Sequence, residues 1–538
     1  MRLLITAAAA LLVVLNAPGS AFAELAPPDP LPPATTDLQA SAAEAVVPPW
    51  QTLAERAPFH PDTALLLNDG TVMAQDYATA DWWRLAPDEF GKYIDGTWTQ
   101  IPPMPDGYAP YDYCSAVLAD GRVIVEGGEY TYVDGVATAT ETNQGAIYDP
   151  VANSWQVLDP PPGWTKIGDS SCLVLPNGKF LLARSFNSTP LGQVAVLDPA
   201  TLSWTVLAPP GKVDSSAEEN WTLLPDGTVL TVDIHAGPGA ERFIPPWLDG
   251  SANGEWISAG TIPVDLVSRR DPGPQVLLPD GTVFAVGDTG ANATYSPPTT
   301  LYGTGTWTAA PSFPTVAGGQ LDVCDGPAVL LTNGSVLVGA SPGCYNIDDH
   351  FFEFDGTNLR EVTQPPFGPG ISSFWARLLM LPTGEVLVTF DNRTAWIYTS
   401  TGSPDPSWAP SITTCPVPDD PTRPGEEGTP GSVIAPGATY TIAGRQLNGV
   451  SQAENYGDDE AAATNYPLVR ITNHATGHVF YARTHDHSSM GVATGDQIVS
   501  THFDVPAGLE RGASDVVVVA NGIASNRCVV NEPAAGAQ

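Results

Sequence analysis

The chain has 538 residues, with 21 Lys and Arg against 59 Asp and Glu, so its formal net charge is -38. This acidic balance argues against nucleic acids and anionic membrane surfaces as partners. With 54 prolines, 52 glycines and few helix-period patterns, the composition predicts a turn-rich all-β protein.

The first 23 residues have the parts of a secretory signal peptide. Arg2 precedes an apolar run, and the small-residue motif Ala21-Phe22-Ala23 follows it. We therefore predict a signal peptide over residues 1–23 and a Pro- and Ala-rich lead-in over residues 24–48. The run is too short to span a membrane, and no later stretch is apolar enough to do so. We expect a secreted (extracellular or periplasmic) monomer without a membrane span.

Seven stretches within residues 49–410 share one pattern, which is an apolar strand, a turn ending in Gly and a second apolar strand. Most of the turns carry Asp-Gly or Asn-Gly, which supplies the positive φ that a tight hairpin needs. The turn glycines, about 50 residues apart, are Gly70, Gly121, Gly178, Gly227, Gly281, Gly334 and Gly384.

A tryptophan precedes each of the first six glycines, and Leu359 stands in its place in the seventh unit. A period near 50 residues with four short strands is typical of kelch repeats. One such unit cannot bury both of its faces, whereas seven units packed around an axis can. The sequence therefore predicts an all-β fold with a seven-bladed kelch-type β-propeller over residues 49–410. In this fold the repeated glycines and tryptophans are structural; the tryptophans are Trp50, Trp98, Trp155, Trp204, Trp256 and Trp307.

The rest of the chain predicts a second β domain. Residues 411–435 are rich in Pro, Gly and acidic residues and are interpreted as a linker. Residues 436–538 alternate as short strands, which is typical of an Ig-like β-sandwich. An insertion over residues 448–466 is long enough to reach another surface.

Six cysteines in an exported chain form an even set that allows fifteen pairings. One pair of cysteines flanks a single strand pair, a second pair brackets the last region, and the two that remain each begin an apolar strand. We therefore predict the disulfides Cys324–Cys344, Cys415–Cys528 and Cys114–Cys172.

The leader, the seven kelch repeats and the C-terminal Ig-like domain together resemble the galactose oxidase and glyoxal oxidase family of secreted copper-radical oxidases. The resemblance implies a Cys–Tyr thioether, a Tyr-His dipeptide before a late turn glycine and a His from the C-terminal domain. Phe374 and Trp375 stand at the dipeptide positions, and Gly168 and Asp169 stand where the thioether Tyr is expected. We therefore expect the scaffold without its copper centre, with a copper-radical oxidase as an alternative.

Residues just ahead of each first strand of a propeller blade surround the central channel at one end. Among these we predict catalytic roles for His60, Tyr111, Asp169, Glu219 and Arg270. Ligand-binding roles are predicted for Asp62, Asp112, Glu218, Arg269, Asp271, Asp325, Trp375 and Arg377.

This set of side chains suits an extracellular glycan or another small polyhydroxylated or carboxylated ligand. Arginines can hold a uronate, and Trp375 offers a ring face to a sugar. His60 and Tyr111 could instead act as base and acid in β-elimination from a uronic acid, so the alternative is a polysaccharide lyase or hydrolase that uses the axial His, Tyr, Arg and carboxylate side chains. Clustered carboxylates also suit Ca²⁺, although no cofactor is required. Ion pairs that only join blades, or a surface for protein interaction, are the non-enzymatic alternatives.

His485 and His487 form an H-x-H pattern at a predicted strand end, where both side chains would face one way. They are candidates for a metal half-site, although no third ligand is evident nearby in the sequence. A polar structural role is the alternative.

Overall fold

The computed structural model describes residues 48–133, 135–185, 190–366, 370–390, 392–420, 432–456 and 460–532. The predicted signal peptide and almost all of the lead-in lie outside these residues. Within them the fold is all-β and β-propeller-like, as predicted. No described helix is long and apolar enough to cross a membrane.

The repeat region forms seven antiparallel sheets, numbered here in chain order, and each contains one of the predicted hairpins. The strands of sheets 1 to 3 are Pro61–Leu66, Val72–Asp76, Trp82–Ala86 and Thr97–Ile101; Cys114–Val117, Val123–Glu126, Gly145–Asp149 and Ser154–Leu158; and Cys172–Val174, Phe180–Ala183, Val194–Asp198 and Ser203–Leu207. Sheets 4 and 5 contain Thr222–Leu223, Val229–Val232, Gly239–Ile244 and Glu255–Thr261; and Gln275–Leu277, Val283–Val286, Asn292–Ser296 and Thr306–Ala310. Sheet 6 contains Pro327–Leu330, Val336–Ala340, His350–Phe354 and Leu359–Glu361, and sheet 7 contains Arg377–Met380, Val386–Thr389 and Trp396–Tyr398.

The first strands of the seven sheets form a closed cycle. Each contacts the first strand of the next sheet or is joined to it by a bridge such as Ser170–Ala217, and the seventh returns to the first. The N-terminal strand Trp50–Thr52 pairs with Trp396–Tyr398 as the outer strand of sheet 7. Chain closure therefore joins the two ends of the repeat region in one sheet.

The repeated glycines and tryptophans have the structural roles that the repeat predicted. All seven turn glycines have positive φ, between 75° and 86°. The tryptophans lie in outer strands, and several donate their indole N–H to the backbone of the preceding sheet. Nε1 of Trp155 lies 3.0 Å from the Pro102 oxygen, and Nε1 of Trp307 lies 3.1 Å from the Ala259 oxygen. Each such tryptophan thus links two adjacent sheets.

Several short elements lie outside the seven sheets. The short helices are Pro246–Asp249 and the 3₁₀ turns Ser373–Trp375 and Pro406–Trp408. A three-stranded sheet contains Pro110–Tyr111, Tyr130–Val133 and Val136–Ala139, and a two-stranded sheet contains Thr315–Val316 and Gly319–Gln320.

The C-terminal region forms one further sheet, and its first strand lies in the segment interpreted as a linker. That strand, Ser411–Pro418, pairs with Thr439–Arg445. The remaining strands are Leu468–Asn473, Val479–His485, Ile498–Asp504, Gly512–Ala520, Ile523–Ala524 and Cys528–Glu532. Alternate apolar residues of these strands form a core of their own.

The insertion 448–466 reaches the repeat region. Its strand Glu454–Tyr456 pairs with Pro327–Leu330, on the side of sheet 6 that faces the centre of the ring. The C-terminal region therefore contributes residues to the axis of the propeller-like fold.

All six cysteines are paired as predicted. Cys114–Cys172 joins the first strands of sheets 2 and 3, while Cys415–Cys528 joins two strands of the C-terminal sheet. Cys324–Cys344 encloses the first two strands of sheet 6.

Candidate functional site

A cavity of about 430 Å³ opens at one end of the ring of first strands. The turns that precede the first strands of sheets 2 to 7 supply most of its lining. Seven residues predicted from the sequence as site residues meet there, namely Tyr111, Asp112, Asp169, Glu218, Asp271, Asp325 and Trp375. They converge because each repeat places its turn at the same end of the ring.

Three of the acidic residues have a left-handed backbone conformation, which residues other than Gly rarely adopt. The φ angles are 51° at Asp112, 59° at Glu218 and 41° at Asp325. Such conformations cost of order 1 kcal/mol or more and cluster at functional sites. The turns therefore aim carboxylates toward the axis in a conformation that is unfavourable for the backbone.

The carboxyl groups of the cavity hold their protons more strongly than usual. Burial raises the pKa of Glu218 to about 7, and the charges of Asp271 and Glu129 add to this effect. Burial, followed by the charge of Asp288, raises the pKa of Asp271 to about 6. Burial also raises the pKa values of Asp112, Asp169 and Asp325 well above the usual range, with the neighbouring carboxylates contributing.

Three of these carboxylates lie close enough together to hold one metal ion. One oxygen each from Glu218, Asp271 and Asp325 lies within 4.8 Å of the other two. This group is called the axial triad below. It joins the turns before the first strands of sheets 4, 5 and 6, which are far apart in the sequence.

Aromatic rings form another part of the wall. The ring of Tyr77 meets those of Tyr111 and Trp375 edge to face, with centroids 5.3 and 5.6 Å apart. Trp375 also meets Phe374 edge to face at 5.0 Å. The cavity therefore combines carboxylates with half-buried ring faces.

Six lining residues were missed by the sequence reasoning, which considered only the turns before first strands. Glu129, Tyr130, Tyr132 and Ala137 belong to the three-stranded sheet at the rim or its approach, and Tyr345 lies between the second and third strands of sheet 6, next to Cys344. Tyr456 comes from the insertion. The run of tyrosines in EYTY (129–132) was the available signal for the rim.

Arg377 and Asp62 form an ion-paired group beside the cavity instead of lining it. Nη2 of Arg377 lies 3.2 Å from Oδ1 of Asp62 and also pairs with Glu460 of the insertion. The guanidinium carbon lies 4.0 Å from the centre of the Tyr456 ring. Both Arg377 and Tyr456 hydrogen-bond the Phe374 carbonyl oxygen, at 2.7 and 2.6 Å. Arg377 thus positions the cavity wall.

The other predicted site residues do not line the cavity. His60 is exposed, and its amide donates to Asp76. Arg269 and Arg270 are exposed, and Nη1 of Arg269 lies 3.2 Å from Oδ2 of Asp322.

Glu219 is buried in a second carboxylate group that surrounds Lys212. The Lys212 ammonium lies 2.6 Å from Glu219 and 2.5 Å from both Asp214 and Glu241. Asp233 completes this group, which is called the lysine cluster below. Glu219 therefore forms a structural ion pair with Lys212. Its side chain points away from that of Glu218, the preceding residue in the chain.

His485 and His487 have separate partners. The strand ends at His485, and Asp486 has a φ of 50°, so the alternation of side chains stops there. His485 contacts Asp486 and Asp504, whereas His487 is buried between Asn68 and Thr501. Among the described residues, the groups arranged to hold a metal do not include either histidine.

The donor set does not fit a copper-radical centre. The sulfur of Cys114 is bonded to Cys172 and so is not available for a thioether to Tyr. Phe374 and Trp375 line the cavity where the resemblance places Tyr and His, and no histidine is among the described lining residues. A copper-radical centre of the kind that the resemblance implies needs imidazole as well as phenolate donors, and the described lining supplies tyrosines but no imidazole.

No protein-family model matches the chain. One curated relative, the Kelch-like protein terF of Aspergillus terreus, is 31% identical over 88 residues, which cover 16% of this chain and 18% of the relative. A fungal alcohol oxidase of the AA5 family, solved in complex with copper, is 13% identical at a TM-score of 0.48, with 89% of this chain and 98% of that chain covered. YCF48 from Cyanidioschyzon merolae is 11% identical at a TM-score of 0.39, with 65% and 98% covered. These likenesses are too short or too distant to carry a conclusion on activity.

Proposed function

We propose that the protein is secreted and binds a neutral carbohydrate in the axial cavity. The observation that carries the proposal is the meeting of carboxylates and aromatic rings in one cavity of about 430 Å³. That volume is within the range of about 300–1,000 Å³ that is common for small-ligand sites. Secretion is supported by the pairing of all six cysteines, since disulfides persist in oxidising compartments.

Carboxylates and rings recognise different parts of a sugar. Carboxylate oxygens accept hydrogen bonds from hydroxyl groups, and such charge-assisted bonds are among the stronger ones in proteins. The half-buried ring of Trp375 and the exposed ring of Tyr345 offer apolar faces to the C–H side of a pyranose ring. The cavity thus provides both types of contact within the size of one or two sugar units.

The charges favour a neutral ligand over a uronate. No Lys or Arg is among the described residues that line the cavity, and six of the lining residues are acidic. A ligand carboxylate would meet repulsion there. The arginines predicted to hold such a group are exposed or paired with Asp62 and Glu460.

The proposal also includes the type of fold. We infer that the seven sheets are kelch-type blades and that the C-terminal sheet is an Ig-like domain whose insertion closes the axis. The closed cycle of first strands and the pairing of Glu454–Tyr456 with sheet 6 support this inference. The donor set supports a scaffold without a copper-radical centre.

A binding and turnover screen tests the function. The mature protein is titrated with neutral oligosaccharides and with oligouronates, and product formation is monitored by reducing ends, peroxide and unsaturated-uronate absorbance. We expect binding of a neutral glycan, weakened about tenfold or more by Trp375→Ala. Trp247→Ala, at an exposed Trp of the helix Pro246–Asp249, is the matched control and should bind as the unaltered protein does.

Other outcomes would overturn the proposal. A preference for uronates, or a Trp375→Ala variant with unaltered affinity, would contradict the assigned ligand or cavity. Peroxide release would support the copper-radical oxidase alternative, and new reducing ends or unsaturated products would support the hydrolase or lyase. Absence of glycan binding would leave the interaction-module alternative.

A further inference from the structure

We infer that the axial triad, Glu218, Asp271 and Asp325, is a binding site for a hard divalent cation, of which Ca²⁺ is the best fit. The three ligand oxygens lie within 4.8 Å of one another, so a single ion between them can contact all three. Hard cations take several oxygen ligands, and three carboxylates from three loops supply the charge that Ca²⁺ sites use. This inference does not depend on the proposed carbohydrate ligand.

The described lining of the cavity supplies no positive charge that would keep all of its carboxyl groups ionised. Six acidic residues line it, and the described lining contains no basic side chain. Like charges brought together in a partly buried space repel one another strongly. A bound cation would remove this repulsion.

The lysine cluster shows how the same chain neutralises a second group of carboxylates. There the ammonium of Lys212 lies within 2.6 Å of Asp214, Glu219 and Glu241, and its side chain is fully buried. The centre of that group is thus already filled by a cation of the protein. The axial triad has a similar set of oxygens without a lysine between them.

An independent observation points to a ligand at the axial triad. Asp169 lines the same cavity and is only 3% exposed, yet its Oδ1 atom has no hydrogen-bond partner among the described residues. The same holds for Oδ1 of Asp112, which is 9% exposed. Buried carboxylate oxygens without a partner are costly, so each such group calls for an explanation. A cation with its water ligands in the cavity would satisfy them.

The donor chemistry selects the class of ion. All the donors at the axial triad are carboxylate oxygens, which suit Ca²⁺, Mg²⁺ or Mn²⁺ and not the softer metals that prefer sulfur or imidazole. Ca²⁺ tolerates irregular geometry and takes six to eight ligands, whereas Mg²⁺ requires a near-ideal octahedron. Three loops that open into a wide cavity leave room for the larger ion and for ligands from solvent.

The test uses the full mature protein, stripped with EDTA and without any sugar present. Calorimetry with CaCl₂ should show one site, with weaker binding of MgCl₂. Tb³⁺ should replace Ca²⁺ and give sensitised emission, because Tyr345, Trp375 and Tyr456 line the same cavity. Added Ca²⁺ should quench that emission by competition.

Isosteric variants locate the ion. Asp325→Asn and Glu218→Gln remove a charge while keeping the shape, and Asn tolerates the positive φ of position 325. Each should weaken Ca²⁺ binding about tenfold or more. The controls Asp233→Asn, in the lysine cluster, and Asp496→Asn, on the surface, should bind Ca²⁺ as the unaltered protein does.

The inference is overturned if calorimetry finds no Ca²⁺ binding up to millimolar concentrations. It is also overturned if Asp325→Asn and Glu218→Gln, shown to be folded by circular dichroism, bind like the controls. Tighter binding of Mg²⁺ than of Ca²⁺ would contradict the choice of ion. Since no sugar is used, failure here leaves the carbohydrate proposal standing, and failure of the glycan screen leaves the cation site standing.

Discussion

Asn68 and His487 join the first sheet of the ring to the C-terminal sheet, with Nδ2 of Asn68 3.1 Å from Nε2 of His487. An amide nitrogen can only donate, so Nε2 accepts and the proton of the neutral ring is on Nδ1. That nitrogen lies 2.8 Å from the Thr501 hydroxyl. Burial lowers the pKa of His487 to about 3, and the charge of nearby His485 contributes.

We predict that this contact makes the protein less stable in acid. The folded-state pKa of His487 is below the ordinary value of 6.5, so the unfolded chain binds more protons between about pH 3 and 6.5. Stability from this group is therefore present above pH 6.5 and is lost as the pH falls through that window.

Urea unfolding at pH 4.5 and pH 7 measures the effect. His487→Gln should lose less free energy of unfolding between the two pH values than the unaltered protein does. His474→Gln, at a half-exposed histidine beside Asp515, is the control and should keep the full loss. Equal pH dependence in the two variants would contradict the prediction.

A second prediction concerns Asp233 in the lysine cluster and has the opposite sign. Burial, with the charge of Glu241, raises the pKa of Asp233 to about 8. The folded state therefore binds more protons between about pH 4 and 8, and stability falls as the pH rises through that window. Asp233→Asn should be more stable than the unaltered protein at pH 9 and similar at pH 4. Thermal unfolding followed by circular dichroism measures this, and Asp496→Asn should show no such gain.

A third prediction tests the tryptophan links between sheets. Trp307→Phe removes the bond to the Ala259 carbonyl and leaves that buried oxygen without its donor. We expect a loss of about 1–3 kcal/mol in the free energy of unfolding. Chemical denaturation measures it, with Trp247→Phe at the exposed helix as the control. An equal loss in both variants would contradict an inter-sheet role.

A fourth prediction concerns Cys114. Because all six cysteines are paired, the denatured but unreduced protein should contain no thiol that reacts with an aromatic disulfide reagent. A non-reducing peptide map should recover the pair Cys114–Cys172. Replacing both with Ser should lower the free energy of unfolding by about 2–5 kcal/mol. A Cys114–Tyr peptide in the map would contradict the disulfide and support the copper-radical alternative.

Much of the architecture could be predicted because local sequence patterns specify it. Each hairpin is specified by its own apolar strands and by a turn glycine such as Gly227, which needs only neighbouring residues to act. The repeats also placed the turns that carry Asp112, Asp169 and Asp325 at one end of the ring. The disulfide pairs were predicted from where the cysteines lie relative to the predicted strands and to the last region of the chain.

The contacts of individual side chains could not be predicted from local patterns. Glu218 and Glu219 are adjacent in the chain, but one joins the axial triad and the other binds Lys212. The two side chains differ in environment because a different partner from another sheet contacts each carboxylate. Likewise, the sequence predicts Arg377 as a ligand-binding residue, but in the structure Arg377 forms ion pairs with Asp62 and Glu460.

The sequence by itself determined the repeated hairpins and their tryptophan phase, because periodic patterns act over a few residues. The positions of the cysteines favoured the three pairs among the fifteen that are possible. The tertiary structure alone decided which charges meet. Tyr456 and Glu460 come from a segment far along the chain, and only strand pairing with sheet 6 brings them to the axis. Electrostatic contacts depend on distances of a few ångströms between loops distant in sequence, and no local pattern specifies those distances.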